Sequence, residues 1–431
     1  MTTNLNNKKL WNAWAFYDWA NSVYPLVISS SIFPLYFGFI FPKNNDQIVF
    51  LGATFKSTAL ISYVTAFAFL VVAFLSPILS GIADYAGNKK RFMQFFCYLG
   101  ALSCAGMYGF TPENIYWGIL CFFFGLIGFW GSLVFYNSYL PDIAPKDEQD
   151  RLSAKGYSMG YIGSVLLLLA SLFLILSKEG EEALQMMRWS FVLTGIWWMG
   201  FAQYSFFHLP KGNKNASKVT KDVLWNGFKE LKKVQKQLYY HLRLFRYLTA
   251  FFVYSMAVQT VMLVATYFGE QEIAWSTDSE KTTGLIISIL LIQLVAVFGA
   301  LITSKASEKF GNVPTLIVIN AIWAVICVCA YFVYVPIQFY ITAVFVGMVM
   351  GGVQSLSRST YSKFLPKTED TTSFFSFYDV TEKIGIVIGM AIYATIDQVT
   401  GSMRNAIFFL TVFFVVGLLL LFRIPKENEA N

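Results

Sequence analysis

Apolar runs long enough to cross a bilayer recur along the whole of the 431-residue chain, at about 14–40, 57–82, 92–110, 115–140, 156–177, 188–209, 245–268, 282–304, 313–334, 337–357, 374–396 and 405–423. Twelve such runs leave few folds open, because backbone inside lipid must satisfy its own hydrogen bonds and so forms helices. The composition agrees: 56% of residues are hydrophobic, 18% aromatic and 13% charged, against roughly 25% charged in ordinary globular domains. The expected class is an all-α polytopic membrane protein. No cleavable leader is expected, since Lys8 and Lys9 precede a run too long and too polar at its start.

Several function classes recede at once. The five cysteines, Cys97, Cys104, Cys121, Cys327 and Cys329, lie inside apolar segments at spacings that suit no metal site and no disulfide. The two histidines, His208 and His241, flank the most basic segment and read as interfacial residues. The expectation is therefore no metal and no cofactor.

Charge orients the chain. The termini and the loops on their side carry 25 of the 32 Lys and Arg; the opposite loops carry 6, and Lys383 lies within a span. By the positive-inside rule both termini are expected in the cytoplasm, which an even number of spans also requires. An inner, bacterial plasma membrane is the expected location.

Between spans six and seven lies the longest and most basic loop. Leu224, Phe228, Leu231, Val234, Leu238 and Leu242 recur at helical spacing among its lysines. That pattern predicts an amphipathic helix resting on anionic headgroups, with a nucleic-acid target not expected. The sequon at Asn215 falls on this same side and reads as chance. The resulting division is 1–209, a first bundle of six helices; 210–243, the linker; and 244–431, a second bundle.

The halves repeat. "SGIADYAGNKKR" follows span two and "SKASEKFGNVPT" follows span eight, with Gly87 and Gly311 offset by 224. Pro141 after span four and Pro366 after span ten are offset by 225. Two anchors at nearly one offset imply a duplicated six-helix unit, the parallel-repeat design of one large class of transporters.

In "GIADYAGNKKR", Asp84 ends span two, Gly87 permits a sharp turn, and Lys89, Lys90 and Arg91 are expected among headgroups. A plain polar hairpin would read the same way. The stretch also resembles the loop motif of the major facilitator superfamily, G-x-x-x-D-x-x-G-R-[RK], with Ser80 at the first glycine position and Asn88 at the first arginine. In that family the Asp bonds the start of span eleven and latches one conformation, so the resemblance implies that role for Asp84. A carboxylate there would meet the positive end of a helix dipole. The second-half copy has Glu308 where the Asp would be.

Two further stretches narrow the resemblance. "YDWANSVYPLVISSSIFPLYF" and "GGVQSLSRSTYSKFLPKTEDTTSFFSFYDVTEKIGIVIG" look like the vacuole-effluxer-like branch, autophagy-related amino-acid exporters and their bacterial relatives, as does "YNSYLPDIAPKDEQDRLSAKGYSMGYIG". The resemblance implies twelve transmembrane helices in two pseudo-symmetric six-helix bundles, the major facilitator fold, around a central cavity that alternates access.

Polar residues inside the spans are the candidate site. Asp18, Asn21, Ser22, Pro25 and Ser29 share one face of helix one. Pro25 favours a kink. Asp18 is expected toward the cytoplasmic mouth, or held at the interface among Trp11, Trp14 and Trp19; Asn21 and Ser22 are expected to face the cavity. Asn137, Gln259, Gln293, Asn320 and Gln354 add single amides at depth, each able to serve as ligand contact or as helix–helix glue. Arg358 could reach headgroups or pair with an acid of a gate.

On span eleven, Phe377-Tyr378-Asp379 repeats Phe16-Tyr17-Asp18, and Glu382 and Lys383 follow. Asp379 and Lys383 are four apart with the acid first, the favourable order. The three charges are expected either to couple transport to protons, with Lys383 also able to bind a substrate carboxylate, or merely to hold the bundles together near the entrance.

The expected function is secondary active transport of a small polar metabolite, an amino acid or peptide among the candidates. The alternative class is a membrane-embedded enzyme on a lipid-soluble substrate, for which no acid, base and nucleophile constellation stands out. Expected partners are a small-molecule substrate and the lipid bilayer, and the protein is expected to be a monomer.

Overall fold

The structure is a computed structural model that describes residues 7–41, 47–210 and 223–425. Residues 211–222, with Asn215, lie outside them. Span one runs Lys8–Ile40. Spans two to six are Ser57–Ala86, Lys89–Gly106, Ile115–Asn137, Gln149–Leu176 and Gly180–His208. Spans seven to twelve are Leu242–Glu272, Asp278–Phe310, Asn312–Ala330, Pro336–Phe364, Thr371–Thr400 and Met403–Phe422.

Nine of these spans are long and apolar enough to cross a membrane by composition alone. Spans three, six and eleven are not, because their apolar stretches carry charge or polar side chains. Charged groups of each find partners in the fold: Lys89 with Asp142, Arg188 with the Tyr108 carbonyl, and Lys383 with Asp379. Two apolar cores result, one built from residues of spans one to six, the other from the linker helix and spans seven to twelve. Tyr161 of span five packs into the second core, across the seam.

Span one is where local chemistry departs most from an ordinary helix. The α-helix Lys8–Asn21 gives way to a π-helical stretch, Tyr24–Ile32, before α-helix resumes at Phe33–Ile40. Pro25 has no N–H to offer the carbonyl of Asn21, four residues back, so the α ladder breaks there. A widened π register, a feature common at functional sites, follows.

Both described ends lie on one face, called here the terminal face. Trp11 Nε1 donates to the Ile143 carbonyl at 2.8 Å, Lys90 Nζ to Leu209 at 2.8 Å, and Arg246 Nη1 to Arg423 at 2.7 Å. Gly87 makes the turn after span two with φ 58°, a left-handed conformation that suits glycine. Its repeat mate Gly311 is also at positive φ, 87°, but with ψ 159°, so the two turns share a sign and not a shape.

The opposite face shows the repeat again, in a pair the sequence reading did not single out. Arg188, near the start of span six, donates to the Tyr108 carbonyl at 2.5 Å and lies 4.5 Å from that ring. Arg404, at the start of span twelve, donates to Tyr331 and Val333 carbonyls and lies 4.0 Å from the Tyr334 ring. It also pairs with Glu272 at 2.8 Å. Each arginine ties a span start to the chain that leaves the third helix of its bundle.

A hairpin also escaped the sequence reading. β1, Gln47–Phe50, pairs antiparallel with β2, Ala53–Lys56, in register Gln47↔Lys56 and Phe50↔Ala53. Leu51 (φ 50°) and Gly52 (φ 80°) turn it, both left-handed as a two-residue primed turn demands. Tyr116 anchors it, stacking on Phe50 at 4.9 Å and accepting the Leu51 N–H at 3.1 Å.

The linker helix forms as expected, Val223–Tyr240, and the described part of its apolar face, Val234 and Leu238, is turned to the protein. Val234 is fully buried and Leu238 nearly so, because the helix runs along span two and touches spans seven and eleven. Leu242 belongs to span seven and is half exposed. The side chains of Leu224, Phe228 and Leu231 lie outside the described residues.

Candidate functional site

The polar groups of the spans gather where the bundles meet, in three linked clusters. The first centres on Arg358, on span ten, whose side chain is 2% exposed. A guanidinium out of water needs donors matched to acceptors on every side. Here Nη1 and Nη2 each donate to Asp18 Oδ2 at 3.2 Å. Nη1 also reaches Asn137 Oδ1 at 3.3 Å, Nε reaches Ser153 Oγ at 2.9 Å, and Nη2 the Ser153 carbonyl at 3.0 Å. Tyr136 OH donates to the same Asp18 oxygen at 2.8 Å. The rings of Trp14, Tyr136 and Tyr157 lie 4.7, 5.5 and 4.2 Å from Arg358 Cζ, an aromatic jacket that favours the cation. Of the two options for Arg358, the structure takes the ion pair and not the headgroups.

Span five makes room for this pair, and the sequence reading missed how. A Cβ on Gly156 would sit 2.4 Å from Asp18 Oδ2. One on Gly160 would sit 2.3 Å from Ser22 Oγ, and one on Gly163 2.9 Å from the Trp19 carbonyl. Spacing of four and three along "KGYSMGYIG" marks a glycine face against span one, the small-residue packing common between membrane helices. That periodicity was the available signal. We expect Gly156→Ala to lower the unfolding free energy by about 1–3 kcal/mol, the usual cost of overpacking, read as an earlier thermal unfolding midpoint in detergent. An unchanged midpoint would mean that the carboxylate has slack.

Ser22 therefore packs against span five while remaining half-buried. Asn21 is 1% exposed and accepts a hydrogen bond only from Ser22 Oγ, at 3.4 Å.

The second cluster lies on span eleven. Lys383 Nζ donates to Asp379 Oδ1 at 2.7 Å and Glu382 Oε2 at 3.0 Å, and sits 3.8 Å from the centroid of the Trp130 ring. Ser76 Oγ donates to Asp379 Oδ2 at 3.3 Å, and Gln259 Nε2 to Glu382 Oε1 at 2.8 Å. Ser76 and Trp130 belong to the first bundle, so the cluster straddles the seam. Asp379 and Lys383 are buried, while the Glu382 side chain is 17% exposed. Two carboxylates and one ammonium leave a formal excess of one negative charge.

Between spans five and ten, Tyr161 OH donates to Gln354 Oε1 at 2.5 Å. Gln293 is half-buried on span eight with no side-chain hydrogen bond to either cluster. Asn320 is fully buried and donates to its own helix, to the Leu316 carbonyl at 2.8 Å, as helix glue would.

The third cluster is at the helix ends of the terminal face. Asp84 accepts the backbone N–H of Thr372 at 3.3 Å and of Ser373 at 2.7 Å, the orphan donors of span eleven's first turn. Lys89 is not in the headgroups. It is 7% exposed, pairs with Asp142, and donates to the Ser138 carbonyl and Thr371 Oγ1, both at 3.1 Å. Lys90 bonds the Leu209 carbonyl, and Arg91 is exposed. Across the pseudo-twofold axis the acid changes sides. Asp150, at the start of span five, takes Ser307 Oγ and Asn312 Nδ2, both at 2.8 Å, and Lys363 Nζ at 2.5 Å. Neither Asp150 nor Lys363 was singled out from sequence; each sits in a charged loop among other charges.

These links between the bundles run from the helix ends inward to Tyr161, twelve residues or about 18 Å from the start of span five. The terminal face is thus closed.

Comparison with known proteins places this geometry. A family model described as vacuole effluxer Atg22 like matches residues 6–431. An uncharacterized MFS-type transporter, YxiO, of Bacillus subtilis (strain 168) is 32% identical over 97% of this chain and 96% of its own length. Autophagy-related protein 22-1 of Aspergillus terreus is 23% identical over 89% of this chain and 78% of its own. Two solved structures share the fold. The E. coli fucose:proton symporter FucP has a TM-score of 0.68 at 15% identity, over 99% of this chain and all of that one. The proton:xylose symporter XylE has 0.70 at 13% identity, over 97% and 96%.

Proposed function

We propose, for a chain that belongs to the vacuole effluxer Atg22-like family and is a secondary transporter of the major facilitator fold, a cargo class and a coupling element. The cargo is a small polar metabolite, with amino acids and peptides first among candidates, moved by alternating access. The coupling element is span eleven. The terminal face is the cytoplasmic one, as the excess of Lys and Arg on that side indicates, and the membrane is a bacterial inner membrane. The protein works as a monomer.

One observation carries the reading: the Asp379–Glu382–Lys383 cluster lies across the bundle seam with one negative charge too many. Glu382 is its only partly exposed member. Rocking the bundles removes Ser76 and Trp130 from the cluster and changes how much water reaches its charges. Asp18–Arg358 and the helix-end latches must break in the same motion, since each joins the two bundles.

A thermal-shift screen of the purified protein against metabolites tests the cargo, and uptake into liposomes with and without an imposed pH gradient tests the coupling. Stabilisation by one chemical class and gradient-dependent accumulation are expected. Uptake indifferent to the gradient would remove the proton from the scheme.

The latch makes its own prediction. Asn at position 84 keeps one acceptor oxygen and turns an NH2 group toward a backbone donor. Charge-assisted hydrogen bonds contribute about 1.5–3 kcal/mol each, so Asp84→Asn should shift the ratio of closed to open terminal face by about tenfold or more. Transport should slow, and a cysteine behind the latch should label faster. Unchanged labelling would leave Asp84 a mere helix cap.

A further inference from the structure

The linker helix turns Val234 and Leu238 to the protein and a lysine face outward. Lys229, Lys232, Lys233 and Lys236, with Gln237 and Tyr240, line one surface groove, because steps of three and four return to one side of a helix. Val234 and Leu238 fix the opposite side within the second core. Four ammonium groups so placed repel one another and attract phosphate, which lysine binds as a point charge. One has a carboxylate partner: Lys233 Nζ lies 2.9 Å from Asp370 Oδ2.

Asp370 immediately precedes span eleven. The next three residues are those already held by other elements: Thr371 by Lys89, and Thr372 and Ser373 by Asp84. The start of span eleven is therefore gripped from the linker, from span three and from span two at once.

We propose that the linker's lysine face binds the headgroups of anionic phospholipid in the adjoining leaflet, and that this binding competes with Asp370 for Lys233 and loosens the start of span eleven. A lipid is favoured over free phosphate by what surrounds the groove. Span seven begins two residues after the linker helix ends, and Tyr239, Tyr240 and Leu242 are 64%, 85% and 50% exposed there. An exposed aromatic pair at the entry of a membrane helix is the composition of a headgroup layer. The coupling rests on the Asp84 latch and not on any cargo.

The test is amide hydrogen exchange of the full chain in lipid nanodiscs, which reads the latch without transport. Moving from neutral phosphatidylcholine discs to discs one-third phosphatidylglycerol should speed exchange at 372–374 about threefold, the scale of one surface ion pair. Asp370→Asn should start fast in neutral discs and lose the lipid response. Lys229→Gln with Lys236→Gln should keep slow exchange and blunt the response. Equal exchange of the unaltered protein in the two lipids overturns the proposal, and that comparison needs no variant to fold. So does a full response in Asp370→Asn. Inorganic phosphate that speeds exchange equally in neutral discs overturns the lipid assignment.

Discussion

Arg358→Ala is expected to cost about 3–5 kcal/mol of stability and to abolish transport. Removing one member of a buried ion pair strands the other, and the penalty is that of a carboxylate left out of water. Asp18 would keep only the Tyr136 hydroxyl, at 2.8 Å. Asn137 and the Ser153 carbonyl would lose their donor. Arg358→Lys should not restore function, since a single ammonium cannot span Asp18, Asn137 and both Ser153 acceptors as a planar fork does. Asp18→Asn should be milder, because the guanidinium keeps its other acceptors and its three rings. Combining Asp18→Asn with Arg358→Gln should recover much of the folding and none of the gating, with the terminal face labelled readily by thiol reagents. The checks are thermal unfolding in detergent and cysteine labelling. An Arg358→Ala protein as stable as its parent would mean that water already reaches the pair.

The second large effect lies at Glu382 and Lys383. An imposed difference of one pH unit is worth about 1.4 kcal/mol per proton, which is roughly tenfold accumulation of a cargo moved with one proton. For Glu382→Gln that ratio should fall to about one, while exchange of cargo across the membrane without a gradient stays largely intact. Gln keeps one acceptor oxygen for Lys383, meets Gln259 only if that amide turns its own oxygen toward the new NH2, and cannot carry a titrating proton. Lys383→Ala should weaken cargo binding itself. It leaves Asp379 and Glu382, both ligands of one ammonium, as neighbouring acids without their counter-charge. Undiminished accumulation by Glu382→Gln would make the cluster a structural brace, the alternative that its place across the seam also allows.

Both effects were half visible in the chain itself. Acids on spans one and eleven stand out because a charge inside an apolar run is costly wherever it ends up. The spans, the repeat and the grip of Asp84 on span eleven were likewise legible. Hydropathy is local, the offsets of Gly87 and Pro141 from their mates are arithmetic, and the Asp84 stretch carries a family's motif.

Partners were another matter. Asp18 meets Arg358 from 340 positions away, and Asp150 meets Lys363 from 213. Nothing in a helical period says which neighbouring helix its inward face will meet. Gly156 could have been read as a close-packing residue, yet only the packed helices show that it clears space for a carboxylate. The linker helix teaches the same lesson: its period was right, and the packed helices show that Val234 and Leu238 are covered by protein. Period and composition determine which side of an element avoids water. What covers that side is decided by the packing of all the other helices, and that is a property of the tertiary structure alone.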